Sequence, residues 1–444
     1  MSPTTAPSLA DPPAWVQVDL RQTLYALSDA LDLVGIDDVG HGKRVGIMAA
    51  ACGQALGLPP AERHLLFDLG LLHDIGVSST TTHRHLVNEF DWEGSHVHCR
   101  IGYELLRDFP PLAHLAKPVL YHHSHWRDLI TTPELPTPVA EQANLIYLVD
   151  RVDVMAAPHY GRGDLLMYSA TIRDKVASHR GTFFAPRLVD AFLVASATEA
   201  FWLELEPRGI QSVMAEMLEQ GDAYRASLGE LKHLASMFAS IVDAKSPFTS
   251  EHSLGVSHLA RFFGEGLGFS RERCDKLEIA GLLHDLGKLR VPDEVLDKPG
   301  RLDERERKIM NAHSFETFQI LRRVKGFEDI TQWAACHHEE YDASGYPFHL
   351  HQGELPLEAR ILRVADIFQA MAQDRPYRAG LAPEAIVDFM NRLVAEGRIE
   401  ADILAVALND LPGAMAAARK PVTVAARVPV PDSPLALSEN PTRR

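Results

Sequence analysis

The sequence predicts an all-α protein made of two copies of one helical domain. Three observations carry that reading. Apolar residues recur at helical spacing in one segment after another, strand patterns are scarce, and the residues that could do chemistry in the first half return in the second. The helical segments run QTLYALSDALDLV (22–34), RHLLFDLGLLHDI (63–75), LKHLASMFASIVDA (231–244), DKLEIAGLLHDL (275–286), ERKIMNAHSFETFQILRRV (306–324) and EAIVDFMNRLVAE (384–396). Each places apolar residues three and four apart, the spacing that builds one buried helix face. Pro and Gly clusters such as GLPPAE (57–62) and DKPGR (297–301) mark turns between them.

The repeat sets the domain plan. GLLHDIG at 70–76 returns as GLLHDLGK at 281–288, an offset of 211 residues that also carries Asp32 to Asp243 and His41 to His252. His98 matches His313 and His122–His123 match His337–His338 at an offset of 215, and Asp150 matches Asp366 at 216. Small loop insertions absorb that drift. Histidine makes up only 22 of 444 residues, so recurrence at every landmark marks a true duplication. The expected plan is a tail at 1–14, a first domain at 15–195, a helical connector at 196–230, a second domain at 231–420 and a tail at 421–444. Both tails are rich in Pro, Ser or Thr without helical period and are expected to stay disordered.

Composition excludes several classes. A 46% hydrophobic, 23% charged chain is globular and not collagen-like or membrane-spanning. The net charge of −16 argues against broad binding to DNA or to a membrane surface, which needs positive potential. A phosphate substrate would have to be met locally, by metals or a few cations. Cys52, Cys99, Cys274 and Cys336 form no CxxC pair, which fits a reducing compartment. The opening MSPTTAPSLADPPAW has neither a basic start nor an apolar core, so no signal peptide is expected and the location expected is the cytoplasm.

Each copy presents His, then His-Asp, then His, then His-His, then Asp. These are nitrogen and oxygen ligands for borderline divalent metals. In the second copy they are His252, His284, Asp285, His313, His337, His338 and Asp366. Seven side chains exceed the needs of one ion and suit two that share a carboxylate, with Asp285 the natural bridge. Two ions about 3.5–4 Å apart can activate water and clamp a phosphoryl oxygen. Asp366 lies in the apolar helix RILRVADIF and needs a partner there; a metal is one candidate and an Arg another. Histidine with carboxylate fits iron or manganese better than calcium.

The HD pair of GLLHDLGK, the stretch CHHEEYDASGYP (336–347) and the stretch RILRVADIFQAMAQDRPYR (360–378) occur in this order. Together they resemble the HD-GYP family within the HD superfamily of metal-dependent phosphohydrolases, over roughly residues 235–410. The resemblance implies hydrolysis of cyclic di-GMP to the linear dinucleotide or on to GMP. It implies two divalent metals on the seven residues above, with Asp285 and Lys288 catalytic and Lys288 near the scissile phosphate. It places Gly345, Tyr346 and Pro347 in an exposed turn beside the substrate, and Arg375 and Arg378 on its phosphates or guanines. It also implies contacts between the GYP surface and cyclase-type or other signalling proteins. Some members hold a third metal with a Glu four residues before the first His; here that residue is Phe248, and Glu251 is a poor substitute. Gln369 stands where many members have Asp.

The first copy keeps a full candidate set, His41, His73, Asp74, His98, His122, His123 and Asp150, so a further metal is expected there. His96 rivals His98, but the spacing of 24 to the His pair favours His98. Asp37, four residues before His41, reads more readily as a loop residue than as a ligand. Val77 replaces Lys288, SHWRDLITTPELP follows the His pair without a GYP, and no DRPYR follows Asp150. This half is therefore expected to bind metal without hydrolysing cyclic di-GMP efficiently. Two alternatives fit the same residues: a phosphohydrolase for another nucleotide, and a non-catalytic cyclic di-GMP receptor.

Overall fold

The computed structural model describes residues 15–35, 40–220, 224–246, 251–340, 342–351, 353–374 and 379–419. The expected tails at 1–14 and 421–444 lie outside them, as do Asp37, Phe248, Arg375 and Arg378. In the first half, α1 (Leu20–Asp32), α2 (His41–Ala55), α3 (Pro60–Leu72), α4 (Thr80–Asn88), α5 (His96–Leu106), α6 (Ala113–Tyr121) and the short α7 (Trp126–Leu129) lead to the long α8 (Thr137–Tyr160). Then come α9 (Leu165–Ser178) and α10 (Pro186–Ala195), and α11 (Glu199–Leu203) and α12 (Pro207–Gln220) join the halves. The second half runs α13 (Leu228–Ala244), α14 (His252–Gly266), α15 (Arg271–Leu283), α16 (Asp293–Leu296), α17 (Glu304–Leu321) and α18 (Glu328–Ala335). It ends with α19 (Leu357–Ala372), α20 (Pro383–Ala395), α21 (Ala401–Asn409) and α22 (Leu411–Ala418).

Local chemistry explains where the helices begin. The Asp19 carboxylate accepts from the Gln22 amide at the start of α1. Ser227 with Glu230, and Asp303 with Glu306, form reciprocal capping boxes on α13 and α17. Proline opens α3 and α20, where its missing N–H costs nothing. In both copies a carboxylate at the end of one helix receives an amide from the next: Asp32 accepts from Gly42, and Asp243 from Ser253. That is the structural role of the Asp32/Asp243 landmark.

The connector departs from the all-helical expectation. Residues Trp15–Asp19 form β1, paired antiparallel with β2 (Arg225–Ser227), so the chain entering α1 is tied to the chain entering α13. The pair is short, and its stretch WVQVD alternates Val with polar residues at the strand period. The two halves are not separate beads. One continuous apolar cluster runs from Val18 to Ala418, and α1 packs on α17 of the other half. Asp29 on α1 pairs with both Lys43 of α2 and Arg323 just beyond α17. Among the described residues no single helix is long and apolar enough to cross a membrane.

A glycine in each HD motif lets two helices cross closely. A Cβ on Gly281 of α15 would lie 2.9 Å from the Ser257 Cα of α14, and Gly70 of α3 meets Gly46 of α2 in the same way. Gly46 and Ser257 are themselves 211 residues apart, so the repeat extends to the packing that brings the ligand-bearing ends of these helices together.

Candidate metal centres

The helix ends of each half converge on one carboxylate. In the second half, Asp285 is buried between two groups of histidines. Its Oδ1 lies 3.4 Å from His313 Nε2 and 3.7 Å from His337 Nε2. Its Oδ2 lies 3.2 Å from His284 Nε2 and 4.0 Å from His252 Nε2, and His252 Nε2 is 3.2 Å from Asp366 Oδ1. In the first half, Asp74 Oδ1 faces His98 (3.2 Å) and His122 (3.6 Å), and Oδ2 faces His73 (3.5 Å) and His41 (3.9 Å). Asp150 Oδ1 is 3.4 Å from His41 Nε2, and Oδ2 is 4.0 Å from His123 Nε2. Ligand atoms of all seven expected residues thus gather in two adjoining groups in the second half; in the first half six do so, and Asp150 stands beside them against His41 and His123. His96 is exposed on α5 while His98 points inward, and exposed Glu251 belongs to neither group.

The backbone sets which ring nitrogen faces each centre. Nδ1 of His284, His313 and His337 lies 2.6–2.7 Å from the carbonyls of Gly281, Met310 and Ala334, three residues back in each case. His73 and His122 repeat this on Gly70 and Val119. A carbonyl only accepts, so Nδ1 carries the proton and Nε2 presents a lone pair inward. His338 differs: its Nδ1 faces the Arg363 guanidinium at 3.1 Å instead of a backbone carbonyl.

Charge also favours cation binding. Burial pushes the Asp285 carboxyl up, but His284 and Lys288 outweigh it and hold the group well below the usual carboxylate range. Burial keeps His337 and His338 neutral and lowers His313 to about 4. Nε2 of His73 and His284 and Oδ1 of Asp74 and Asp285 are buried without a hydrogen-bond partner among the described residues. Buried polar atoms without partners are costly, and a divalent ion coordinated by them removes that cost. The donor set of imidazole and carboxylate therefore fits a transition metal in both halves.

Lys288, in the 3-10 turn Leu286–Arg290, donates to Asp285 Oδ2 at 2.5 Å. Asp285 and Asp366 raise its pKa against the effect of burial, so it stays an ammonium. The GYP segment is not the exposed turn expected. Gly345 is buried, because a Cβ there would collide with the backbone of residues 338–340. Tyr346 and Pro347 are half-buried, and the Tyr346 ring lies on His338 with centroids 4.8 Å apart. The reason is Glu339, a buried carboxylate that accepts from the amides of Phe348, His349 and Leu350 and folds the segment back onto the His pair. Next to it, Glu340 binds Arg363, Arg398 and Ser344. Sequence reasoning missed both carboxylates, although they directly follow the His pair.

The first half differs in ways its sequence only partly shows. Val77 is buried where Lys288 would stand. His41 Nδ1 is held at 2.8 Å by Asp153, which Arg44 and Tyr160 also bind; the residue equivalent to Asp153 in the second half is Gln369. Arg151 caps Asp150 Oδ2 at 2.8 Å, so here the helix carboxylate has an Arg partner, whereas Asp366 has His252. Cys99 Sγ lies 3.7 Å from His98 Nε2, in the place of Ser314. The cavity bounded by His41, His73, Asp74, Val77 and His83 holds about 20 Å³, room for an ion or a water.

Two family models, each described as an HD domain, match residues 39–155 and residues 236–403. The chain is 35% identical to 3′3′-cGAMP-specific phosphodiesterase 1 of Vibrio cholerae over 399 residues, covering 88% of this chain and 92% of that protein. It is 36% identical to the cyclic di-GMP phosphodiesterase response regulator RpfG of Xanthomonas campestris over 182 residues, 40% of this chain and 46% of that one. The crystal structure of a cyclic GMP-AMP specific phosphodiesterase of V. cholerae superposes with a TM-score of 0.61 at 24% identity, over 89% of this chain and 98% of that one, a likeness of fold.

Proposed function

The chain belongs to the HD-GYP type of metal-dependent HD-domain phosphodiesterases, with an additional HD domain at its N-terminal side, and from that premise we propose that its second half opens a phosphodiester of 3′3′-cGAMP. The observation that carries the catalytic reading is the meeting of two histidine groups on the two oxygens of Asp285, with the Lys288 ammonium on the same carboxylate. Substrate choice rests on the relative that matches nearly end to end, which is named for 3′3′-cGAMP. Cyclic di-GMP is the second reading, favoured by the GYP motif and by the relatives named for that nucleotide.

His252, His284 and Asp366 would hold one divalent ion, and His313, His337 and His338 a second, with Asp285 between them; iron or manganese suits these donors. Two such ions supply Lewis-acid charge at the phosphate and water of lowered pKa. The residues do the rest. Asp285 stays ionised and fixes the spacing of the two groups. Lys288 offsets charge that develops on the phosphoryl oxygens. Carbonyl-held Nδ1 protons keep His284, His313 and His337 from turning away. The half-buried Tyr346 ring beside His338 offers apolar surface to a base. In the first half, a water-sized cavity and Val77 support metal binding without dinucleotide hydrolysis.

The test is a comparison of kcat/KM for 3′3′-cGAMP and cyclic di-GMP on the full chain loaded with manganese(II), with products resolved by chromatography. The expected result is conversion to a linear dinucleotide with 3′3′-cGAMP preferred. A preference for cyclic di-GMP would overturn the substrate assignment. No product from either, with metal content verified, would overturn the activity.

A further inference from the structure

Helix α4 is held at one end by a residue that also caps a candidate ligand of the first centre, and at the other by residues of the second half. At its C-terminal end, the guanidinium of buried Arg151 donates to the carbonyls of Leu86 (3.1 Å), Glu89 (2.9 Å) and Phe90 (3.3 Å). The same guanidinium caps Asp150, a candidate ligand of the first centre, at 2.8 Å. At its N-terminal end, Ser79 caps the Thr82 amide, and Asp293 of the second half takes the two amides before it. Its Oδ1 accepts from the Thr80 amide (3.2 Å) and hydroxyl (3.1 Å), and its Oδ2 from the Thr81 amide (3.2 Å). Lys245, whose side chain is 0% exposed, pins Asp293 at 3.1 Å and also donates to the Thr80 hydroxyl (3.3 Å) and the Ser78 carbonyl (3.5 Å). Between the two ends, His83 of α4 lines the cavity of the first centre.

Asp293 lies five residues beyond Lys288, and the intervening chain is a tight turn in which the Val291 amide donates to the Lys288 carbonyl. Arg151 has Ile367 as its counterpart and so belongs to the first half alone. A buried Lys or Arg is costly unless every proton is placed, and here all the partners lie on the path from one centre to the other. We infer that α4 is a strut through which the first centre positions the Lys288 turn of the second, with Arg151, Asp293 and Lys245 as positioning residues. The inference rests on the second half being the catalytic one. A cation at the first centre shares Asp150 with Arg151, which sets how firmly Arg151 holds α4. A seated α4 holds Asp293, and Asp293 holds the turn that carries Lys288. Two sites linked by one such element commonly influence each other about 5- to 150-fold.

The experiment is a double-mutant cycle on the full chain with Asp74→Ala and Asp293→Ala. It reads kcat, KM, metal per chain and hydrogen exchange of residues 286–297. Expected is a fall in kcat of about 5- to 150-fold in each single variant. KM should be little changed, and the double variant should be no worse than either single. Metal content should drop in Asp74→Ala but not in Asp293→Ala, and residues 286–297 should exchange faster in both. Additive losses, or unchanged kcat and exchange in folded Asp293→Ala, would overturn the strut. Should Asp293→Ala not fold, Thr80→Val repeats the cycle with Thr80→Ser as the conservative rescue. Equal behaviour of those two would overturn the strut as well. Asp285→Ala run alongside separates the premises, since turnover surviving in that variant refutes the catalytic assignment instead.

Discussion

Replacing Gly281 by Ala tests how closely the catalytic geometry depends on helix packing. The added Cβ would sit 2.9 Å from the Ser257 Cα of α14. Carbon atoms in contact prefer about 3.5–4.0 Å, so α14 and α15 must part by roughly 0.6–1 Å. Those helices carry His252 and His284, and His284 takes its orientation from the carbonyl of Gly281 itself. Overpacking of this kind costs about 1–3 kcal/mol of stability. A displacement near 1 Å in a catalytic constellation costs on the order of 100-fold in rate. The expected outcome for Gly281→Ala is a folded protein, a lowered melting temperature and a kcat reduced roughly 10- to 100-fold. The assay is product chromatography on metal-loaded full chain, with melting curves and metal analysis on the same samples. A folded Gly281→Ala protein that turns over like the parent would show that the packing of α14 on α15 does not set the site.

Three further outcomes follow from particular contacts. Glu339→Gln removes a charged acceptor from three amides, each charge-assisted bond being worth about 1.5–3 kcal/mol. The GYP segment should loosen, raising KM more than it lowers kcat, as steady-state kinetics will show. At Glu340, the Arg398 hydrogen bond outweighs burial and holds the carboxyl below its ordinary 4.5. The folded state therefore keeps this group ionised to lower pH than the unfolded chain does. Its stabilisation is present above about pH 4.5 and is lost as pH falls through the folded value. The melting-temperature gap between parent and Glu340→Gln should then be full at pH 7 and close below pH 4.5. Chelation should lower the melting temperature, because ions bound only by the folded state stabilise it by mass action. Adding manganese(II) back should restore it in calorimetry.

Much of this molecule is legible in its sequence because the duplication records it twice. Residues such as His98 and His313 are ambiguous alone, yet their recurrence beside HD and HH pairs singles them out before any coordinates exist. Helical class follows from periodicity, which is a local property. What stays hidden is partner choice across long separations. The β1–β2 pair joins residues some two hundred positions apart and has too few residues to declare itself. Glu339 reads as one acid among 60 until the fold turns three amides toward it. Asp293 and Lys245 are far apart in the sequence, and only the fold sets the buried Lys245 ammonium on Asp293 and Asp293 on Thr80 and Thr81 of the other half. The exposed turn expected at Gly345 failed for the same reason, since close approach of backbone, and not turn geometry, demands glycine there.

The central claim is that hydrolysis belongs to the second centre. The most direct measurement loads full-length parent, Asp285→Ala and Asp74→Ala with manganese(II) under exclusion of oxygen and follows 3′3′-cGAMP and cyclic di-GMP by chromatography. The account predicts no linear product from Asp285→Ala and reduced but measurable product from Asp74→Ala. Parent-like turnover in Asp285→Ala, or loss of product only in Asp74→Ala, would contradict it.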